Sequence, residues 1–145
     1  RSGLGTFTGI KGRMQRKRGK NGAVLLDDTY NANPESVRAA IDVLRAEAGK
    51  KVLVLGDMGE LGALASALHV QIGILAKNSG IDVLYTLGDF SAGAARQFGK
   101  EARHFTEIEE LIAALEKLLA PGVTVLVKGS RFMRMERIVE RFSAE

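Results

Sequence analysis

Short apolar runs alternate with longer amphipathic stretches along this chain, and that alternation restricts its fold more than any other feature. The runs 23–26, 52–55, 83–87 and 123–127 consist largely of Val and Leu and have the length of strands that are buried on both faces. Between the runs, apolar residues recur at the three- and four-residue spacing of helices. Strands that alternate with helices predict βαβ units, and therefore an α/β fold with a mostly parallel, Rossmann-like sheet flanked by helices.

The amphipathic stretches predict where the helices begin and end. Pro34 predicts the first turn of a helix, where the N–H that Pro lacks has no partner in the helix. The helix is expected to extend to about Gly49, because Gly commonly follows the end of a helix. Thr106 and Glu109 have the spacing of a capping box at the start of another helix, which ends near Pro121. Further helices are expected over about 64–77 with Leu68, Ile72 and Leu75 facing inward, over 91–98, and around Met133, Ile138, Val139 and Phe142, with a short strand over 103–105.

The segment 13–20 differs from the other predicted strands because it is polar. The sequence GKNG (19–22) joins it to the first apolar run, and an Asn-Gly pair is a strong signal for a hairpin turn. We therefore predict an antiparallel edge strand, and so an edge hairpin, at the N-terminal side of the sheet. No internal linker or repeat divides the chain, so residues 1–145 are expected to form a single domain.

Positive charge is concentrated near the N-terminal side of the chain. The formal net charge is +4, yet residues 1–26 hold seven of the 21 Lys and Arg and none of the 17 Asp and Glu. A cationic segment of this kind suits phosphate groups, a nucleic acid or another domain as a ligand. It is equally compatible with a solvated strand that binds nothing. A stand-alone nucleic-acid-binding α/β module that uses segment 11–20 is therefore an alternative function, although the segment lacks interleaved aromatic residues for base stacking.

Composition excludes several classes of protein. The chain has no Cys, which excludes a disulfide scaffold, a Cys-ligated zinc site and a thiol nucleophile. Apolar residues make up 46%, too many for a disordered chain, but no run approaches the ~18 apolar residues of a membrane span. No signal peptide is recognised at the N-terminus. His69 and His104 have no paired-histidine spacing, so no metal site is expected.

Four polar or Gly-rich turns follow the apolar runs, at the sheet edge where ligands bind in open α/β folds. They are DDTYNANP (27–34), GDMGELG (56–62), GD (88–89) and KGSR (128–131). None has the GxGxxG spacing of a dinucleotide site, which disfavours a small Rossmann-like enzyme with its own dinucleotide. The GxxxxGK[ST] phosphate-binding loop is also missing from the chain, so a nucleoside triphosphate that binds here needs a phosphate cradle from elsewhere.

Two of these turns have side chains that suit a charged ligand. Asp28 suits the hydroxyls of a ribose, although Asp, Asn and Pro are also ordinary turn and N-cap residues. Lys128, Ser130 and Arg131 stand at a strand end and a helix start, where backbone N–H groups and cations suit a phosphate or a carboxylate. The same residues also fit a basic, solvated turn.

Taken together, the motifs of the chain resemble the C-terminal domain of the Mur ligases. The motifs are KGR (11–13), DDTYNANP (27–34), VLGDMGELG (54–62), His69 and VKGSR (127–131). The resemblance covers essentially the whole chain and is strongest to the members that add D-alanyl-D-alanine to UDP-N-acetylmuramoyl-tripeptide. Residues 62–68 (GALASAL) depart from the family pattern, because they lack the acidic residues that members often carry there.

The resemblance implies the C-terminal domain of a three-domain, ATP-dependent ligase of peptidoglycan precursor synthesis. ATP converts the tripeptide carboxylate into an acyl phosphate, which the dipeptide amine attacks with release of ADP and phosphate. The N-terminal and central domains, which are absent here, bind the UDP-sugar peptide and carry the phosphate-binding loop and magnesium. The domain alone is expected to be inactive and to hold no cofactor. The whole enzyme is expected to be a cytoplasmic monomer that binds neither membrane nor nucleic acid.

The resemblance also assigns roles to individual residues. Arg13 resembles an arginine that reaches the ATP phosphates, and Asp28 resembles the acid that binds the ATP ribose. His69 receives no catalytic role. The expected ATP-binding residues are Arg13, Asp28, Tyr30, Asn31 and Asn33, and the expected contacts to the incoming dipeptide are Asp57, Met58, Glu60, Ser130 and Arg131.

Overall fold

The computed structural model describes residues 14–144, and within them the chain forms one six-stranded sheet. The strands are β1 (Gln15–Arg18), β2 (Val24–Asp28), β3 (Lys50–Gly56), β4 (Val83–Leu87), β5 (Ala102–Phe105) and β6 (Val123–Lys128). Their order across the sheet is β1-β2-β6-β3-β4-β5. Among them, β1 pairs antiparallel with β2 and every other neighbouring pair is parallel. The predicted α/β fold with an antiparallel edge strand is confirmed.

Helices cover both faces of this sheet. On one face lie α1 (Pro34–Arg45), α2 (Ala65–Asn78) and α3 (Ala92–Phe98), and on the other lie α4 (Ile108–Glu116) and α5 (Glu136–Phe142). Successive residues of a strand point to opposite faces, so Leu53 packs in the first core and Val54 in the second. Both faces are buried along the central strands, which is why a run such as 52–55 is apolar without interruption, whereas the edge strand β1 is polar. Within residues 14–144, no helix has both the length and the apolar character needed to cross a membrane.

The position of β6 decides which loops can meet. It is the last strand in the chain, yet it lies between β2 and β3 near the middle of the sheet. Lys128, at its end, is in register with Asp28 of β2 and with Leu55 of β3. All three strands are parallel, so the segments that follow them leave the sheet side by side.

The predicted N-terminal hairpin is confirmed. A 3₁₀ turn over Lys20–Gly22 joins β1 to β2, and Asn21 there has a φ of 60°, a conformation that Asn tolerates. Arg16 donates to both carboxylate oxygens of Glu47 at 2.9 and 3.0 Å, and this hydrogen bonding raises the pKa of the Arg16 guanidinium. Lys17 pairs with Asp27 at 2.9 Å. These ion pairs neutralise part of the cationic segment and leave less positive charge for a nucleic acid.

Two predictions about helix ends are wrong. The N-cap of α4 is Glu107, without a side-chain cap bond, because β5 extends to Phe105 and leaves Thr106 in the bend before the cap. Met133 precedes the last helix, in a 3₁₀ turn over Arg131–Met133. That turn ends because Arg134 adopts the left-handed conformation, with a φ of 53°.

The inward face of α2 also differs from the prediction. Its buried residues are Ala65, His69, Ile72, Gly73 and Ala76, whereas Leu68 and Leu75 are only partly buried. Small residues face inward because α3 crosses closely there: a Cβ built on Gly73 would lie 2.3 Å from the carbonyl oxygen of Ala94.

This close approach predicts that Gly73→Ala lowers the free energy of unfolding by about 1–3 kcal/mol, because the methyl group meets backbone that cannot move away. The loss should outweigh the ~1 kcal/mol gained when Ala replaces Gly in a helix. Gly93→Ala is the control, since its Cβ would meet only Cγ2 of Val70, at 3.0 Å. Urea denaturation should show destabilisation in the first variant only, and equal stability of the two would contradict this packing.

Candidate functional site

Three loops meet at the carboxyl ends of β2, β6 and β3. We name them the β2 loop (29–33), the β6 loop (129–131) and the β3 loop (57–61). The β3 loop continues into a 3₁₀ turn over Gly62–Leu64 and then into α2. Eight of the ten residues predicted to bind ligands lie in these loops, and a ninth, Asp28, is the last residue of β2. The contacts between the loops come from three residues at the end of β6.

Lys128 connects the end of β6 to the β2 loop. Its side chain is 2% exposed, and its ammonium lies 3.0 Å from the Oδ2 atom of Asp28, which is 14% exposed. The same ammonium donates to the carbonyl oxygen of Asn31 at 2.9 Å. A buried cation is stable only when it is paired and hydrogen-bonded, and both conditions are met here. Lys128 therefore fixes the Asp28 carboxylate and the path of the β2 loop.

Ser130 connects all three loops. Its hydroxyl donates to the carbonyl oxygen of Ala32 at 3.1 Å and accepts the N–H of Gly59 at 2.6 Å. Its own N–H donates to the carbonyl oxygen of Asp57 at 3.1 Å. The residue is 5% exposed, so these hydrogen bonds are largely shielded from water.

Arg131 stands at the surface of the same cluster. Its guanidinium carbon lies 4.8 Å from the centre of the Tyr30 ring, in cation–π geometry. Tyr30 and Phe132 are both exposed, and Phe132, at 65%, is more exposed than most large apolar side chains of the molecule. Two aromatic rings and a guanidinium that remain accessible beside a buried polar network are typical of a ligand-binding surface.

The two asparagines of the β2 loop have local structural roles. Asn33 is the N-cap of α1: its Oδ1 accepts the N–H of Ser36 at 2.8 Å, and the Ser36 hydroxyl accepts the N–H of Asn33 at 3.0 Å. Asn31 accepts the N–H of Ala32 at 2.8 Å through its own Oδ1. Both side chains remain exposed, and each keeps its amide NH₂ as a potential donor.

The carboxylate of Asp57 points away from the three loops toward the β4 loop (88–91). It is 3% exposed and accepts the N–H groups of Asp89, Phe90 and Ser91 at 2.7 to 3.1 Å. Gly88 leaves room for it, because a Cβ there would lie 2.4 Å from the carboxylate. Asp57 thus holds the β4 loop through its side chain and the β6 loop through its carbonyl oxygen.

Met58 and His69 form the interior side of the β3 loop. The Met58 side chain is in the core, and its N–H donates to Nε2 of His69 at 2.9 Å. Since Nε2 accepts, the hydrogen of the ring is on Nδ1, which donates to the carbonyl oxygen of Ala65 at 2.6 Å. His69 is therefore a neutral, buried link between α2 and the β3 loop. Asp57 and Met58 are both buried, so neither side chain lies at the surface of the site.

The structure places the predicted residues as follows. Asp28, Tyr30, Asn31, Ser130 and Arg131 lie in one contiguous cluster. Glu60 is exposed in the β3 loop with a φ of 61°. Arg13 lies outside the described residues. The sequence analysis did not predict that Gly59 bonds to Ser130 or that His69 bonds to the β3 loop. For His69, the available signal was a histidine at a core position of an apolar helix.

Comparison with known proteins identifies the family. The model of the Mur ligase glutamate ligase domain matches residues 12–131, a range that includes all three loops. The chain belongs to the Mur ligase family. It is 41% identical over 141 residues to the UDP-N-acetylmuramoyl-tripeptide–D-alanyl-D-alanine ligase of Escherichia coli K12, which covers 96% of the chain and 31% of that ligase.

Solved Mur ligases share the fold. The crystal structure of MurF from Acinetobacter baumannii aligns with a TM-score of 0.83 and 34% identity, covering 91% of this chain and 30% of that one. The MurF ligase of Thermotoga maritima, crystallised in complex with ADP, aligns with a TM-score of 0.79 and 30% identity, covering 90% and 30% of the two chains. The chain therefore spans slightly less than a third of the length of these Mur ligases.

The buried ion pair at this Mur ligase site predicts that Lys128→Met lowers the free energy of unfolding by about 2–4 kcal/mol, because Asp28 and the Asn31 carbonyl lose their partner. The control is Arg16→Met, which breaks an exposed ion pair worth less than about 1 kcal/mol. Urea denaturation of both variants measures the difference. Equal losses would mean that Lys128 is not the buried link described here.

Three N–H groups of the β4 loop donate to the Asp57 carboxylate, so Asp57→Ala should lower the free energy of unfolding by about 2–4 kcal/mol, because it leaves them without an acceptor. Asp89→Ala removes an exposed carboxylate from the same loop and should change stability by less than about 0.5 kcal/mol. Thermal and urea denaturation compare them, and a loss in Asp89→Ala as large as in Asp57→Ala would contradict the assignment.

Proposed function

We propose that this chain is the C-terminal domain of the ATP-dependent ligase that joins D-alanyl-D-alanine to UDP-N-acetylmuramoyl-tripeptide in peptidoglycan precursor synthesis. The observation that carries the proposal is the joining of the β2 and β6 loops, which brings an acid suited to a ribose beside an exposed arginine suited to a carboxylate. The substrates are chosen because the similar ligases are named for them. Those ligases are about three times as long as this chain, which supports two further domains, N-terminal and central, in the whole enzyme.

The β2 loop forms the nucleotide side of this proposed site. Lys128 occupies Oδ2 of Asp28 and leaves Oδ1 to accept a ribose hydroxyl, while Tyr30, Asn31 and Asn33 offer an aromatic face and amide donors. Arg13 is proposed to reach the ATP phosphates, where a fixed cation stabilises the charge of phosphoryl transfer. The ADP complex of the Thermotoga maritima MurF ligase supports a nucleotide in an enzyme of this kind.

The β6 and β3 loops form the proposed dipeptide side. Arg131 has five N–H donors in a planar fork, and that geometry suits the terminal carboxylate of D-alanyl-D-alanine. Ser130 lies beside it, and Glu60, Asp57 and Met58 border the same side, the last two through their main chain. The exposed ring of Phe132 adds an apolar surface of a kind that suits methyl side chains.

The remaining steps of the reaction need groups from the rest of the enzyme. The γ-phosphoryl group of ATP passes to the tripeptide carboxylate, and the dipeptide amine then displaces phosphate, forms the amide bond and gives up a proton. Within residues 14–144, no group of three His, Asp or Glu is placed to hold a metal ion, so the residues described do not fit a magnesium site. We propose that the central domain supplies magnesium and the phosphate-binding loop, and that the whole enzyme acts as a cytoplasmic monomer.

The test of this function uses the full-length protein with ATP, UDP-N-acetylmuramoyl-tripeptide and D-alanyl-D-alanine, with ADP release as the measurement. Release of ADP is expected only when all three substrates are present, and the isolated 145-residue chain should release none. Arg131→Ala should raise the KM for the dipeptide by about tenfold to a hundredfold, because it removes a charged hydrogen-bond donor.

The control for that variant is Arg141→Ala, which removes an exposed arginine from α5 and should leave the KM unchanged. No dipeptide-dependent ADP release by the parent enzyme would overturn the proposed function. Equal KM values for Arg131→Ala and the parent would instead remove Arg131 from the dipeptide site.

A further inference from the structure

The Ser130 hydroxyl has one hydrogen to donate, and a hydrogen bond within the protein already uses it. A serine hydroxyl has one donor hydrogen and two acceptor lone pairs. The N–H of Gly59 can only donate, so at 2.6 Å it occupies a lone pair of the Ser130 oxygen. The carbonyl oxygen of Ala32 can only accept, so at 3.1 Å it receives the hydroxyl hydrogen.

This arrangement conflicts with direct recognition of a carboxylate by Ser130. A carboxylate accepts hydrogen bonds and donates none, so a group that binds it must offer a hydrogen. Ser130 has already donated its own to Ala32 and is 5% exposed. Arg131, the next residue, is exposed and has several hydrogens to offer.

We infer that Ser130 is a positioning residue and not a ligand contact: it holds the β2 and β3 loops against the β6 loop, so that the nucleotide and dipeptide sides of the site are set by the same hydroxyl. The inference rests on the proposed function for the names of the two sides. Ser130 reaches the β2 loop through Ala32, one residue from Asn31 and Asn33, and reaches the β3 loop through Gly59, the neighbour of Glu60. Its N–H fixes the start of the β6 loop on the carbonyl oxygen of Asp57.

The two roles predict different kinetics. A direct contact to the dipeptide affects the KM for the dipeptide alone, as expected for Arg131→Ala. A positioning residue that holds both loops affects the KM for ATP as well, because Asp28, Tyr30 and Asn31 lie in or next to the loop that loses its link. The split between the two KM values therefore separates the roles without reference to overall stability.

The experiment measures both KM values and kcat for Ser130→Ala, Ser130→Cys and Arg131→Ala in the full-length ligase. The cysteine variant keeps the side chain close to its original volume but replaces the hydroxyl with a weak donor and acceptor, so it guards against loss of folding in the alanine variant. Both Ser130 variants should raise the KM for ATP and for the dipeptide by about threefold to tenfold each. Melting temperatures identify which variants are folded at the assay temperature.

An increase confined to the KM for the dipeptide in Ser130→Cys, matching Arg131→Ala, would overturn the inference and make Ser130 a ligand contact. Unchanged values for both substrates would overturn it as well. Neither result affects the proposed function, which fails only if the parent enzyme shows no dipeptide-dependent release of ADP.

Discussion

The insertion of β6 between β2 and β3 is the constraint on which the rest of this structure depends. Because the last strand of the chain occupies the middle of the sheet, residues about a hundred positions apart become neighbours: Lys128 contacts Asp28, and Ser130 contacts Ala32. Parallel strands all end at the same edge, so the loops that follow meet there. Without that strand order, the motifs would be separate turns.

Buried polar groups stabilise the meeting of these loops. The Lys128 ammonium, the Asp57 carboxylate and the Ser130 hydroxyl each have partners from another segment of the chain, and all three are nearly inaccessible to water. A buried polar group that loses its partner destabilises the fold strongly. The network therefore favours one arrangement of the loops. The buried hydrogen bonds hold the backbone of the surface that carries the exposed side chains of Tyr30, Glu60, Arg131 and Phe132.

The strands and the turns at the edge of the sheet could be predicted from the sequence, but the burial of polar side chains beneath those turns could not. Uninterrupted apolar runs such as 52–55 predict the strands, and the polar turns after them predict the edge of the sheet where the candidate site lies. Burial of Lys128 and Asp57 is harder to foresee, because a charged residue after an apolar run usually begins an exposed turn. The face of α2 was mispredicted for a related reason: large apolar residues dominate a helical pattern, whereas Gly73 faces inward because α3 approaches it, which only the tertiary structure reveals.

We expect the three loops to form one rigid unit before any ligand binds. Amide hydrogen exchange, measured by NMR on the isolated chain, reports this rigidity at the N–H groups of Gly59 and Ser130, which connect the loops. In a rigid unit both amides exchange only through global unfolding, with an opening free energy equal to that of the strands. Exchange at the rate of an unprotected loop amide, while the amides of β3 and β6 remain protected, would contradict it.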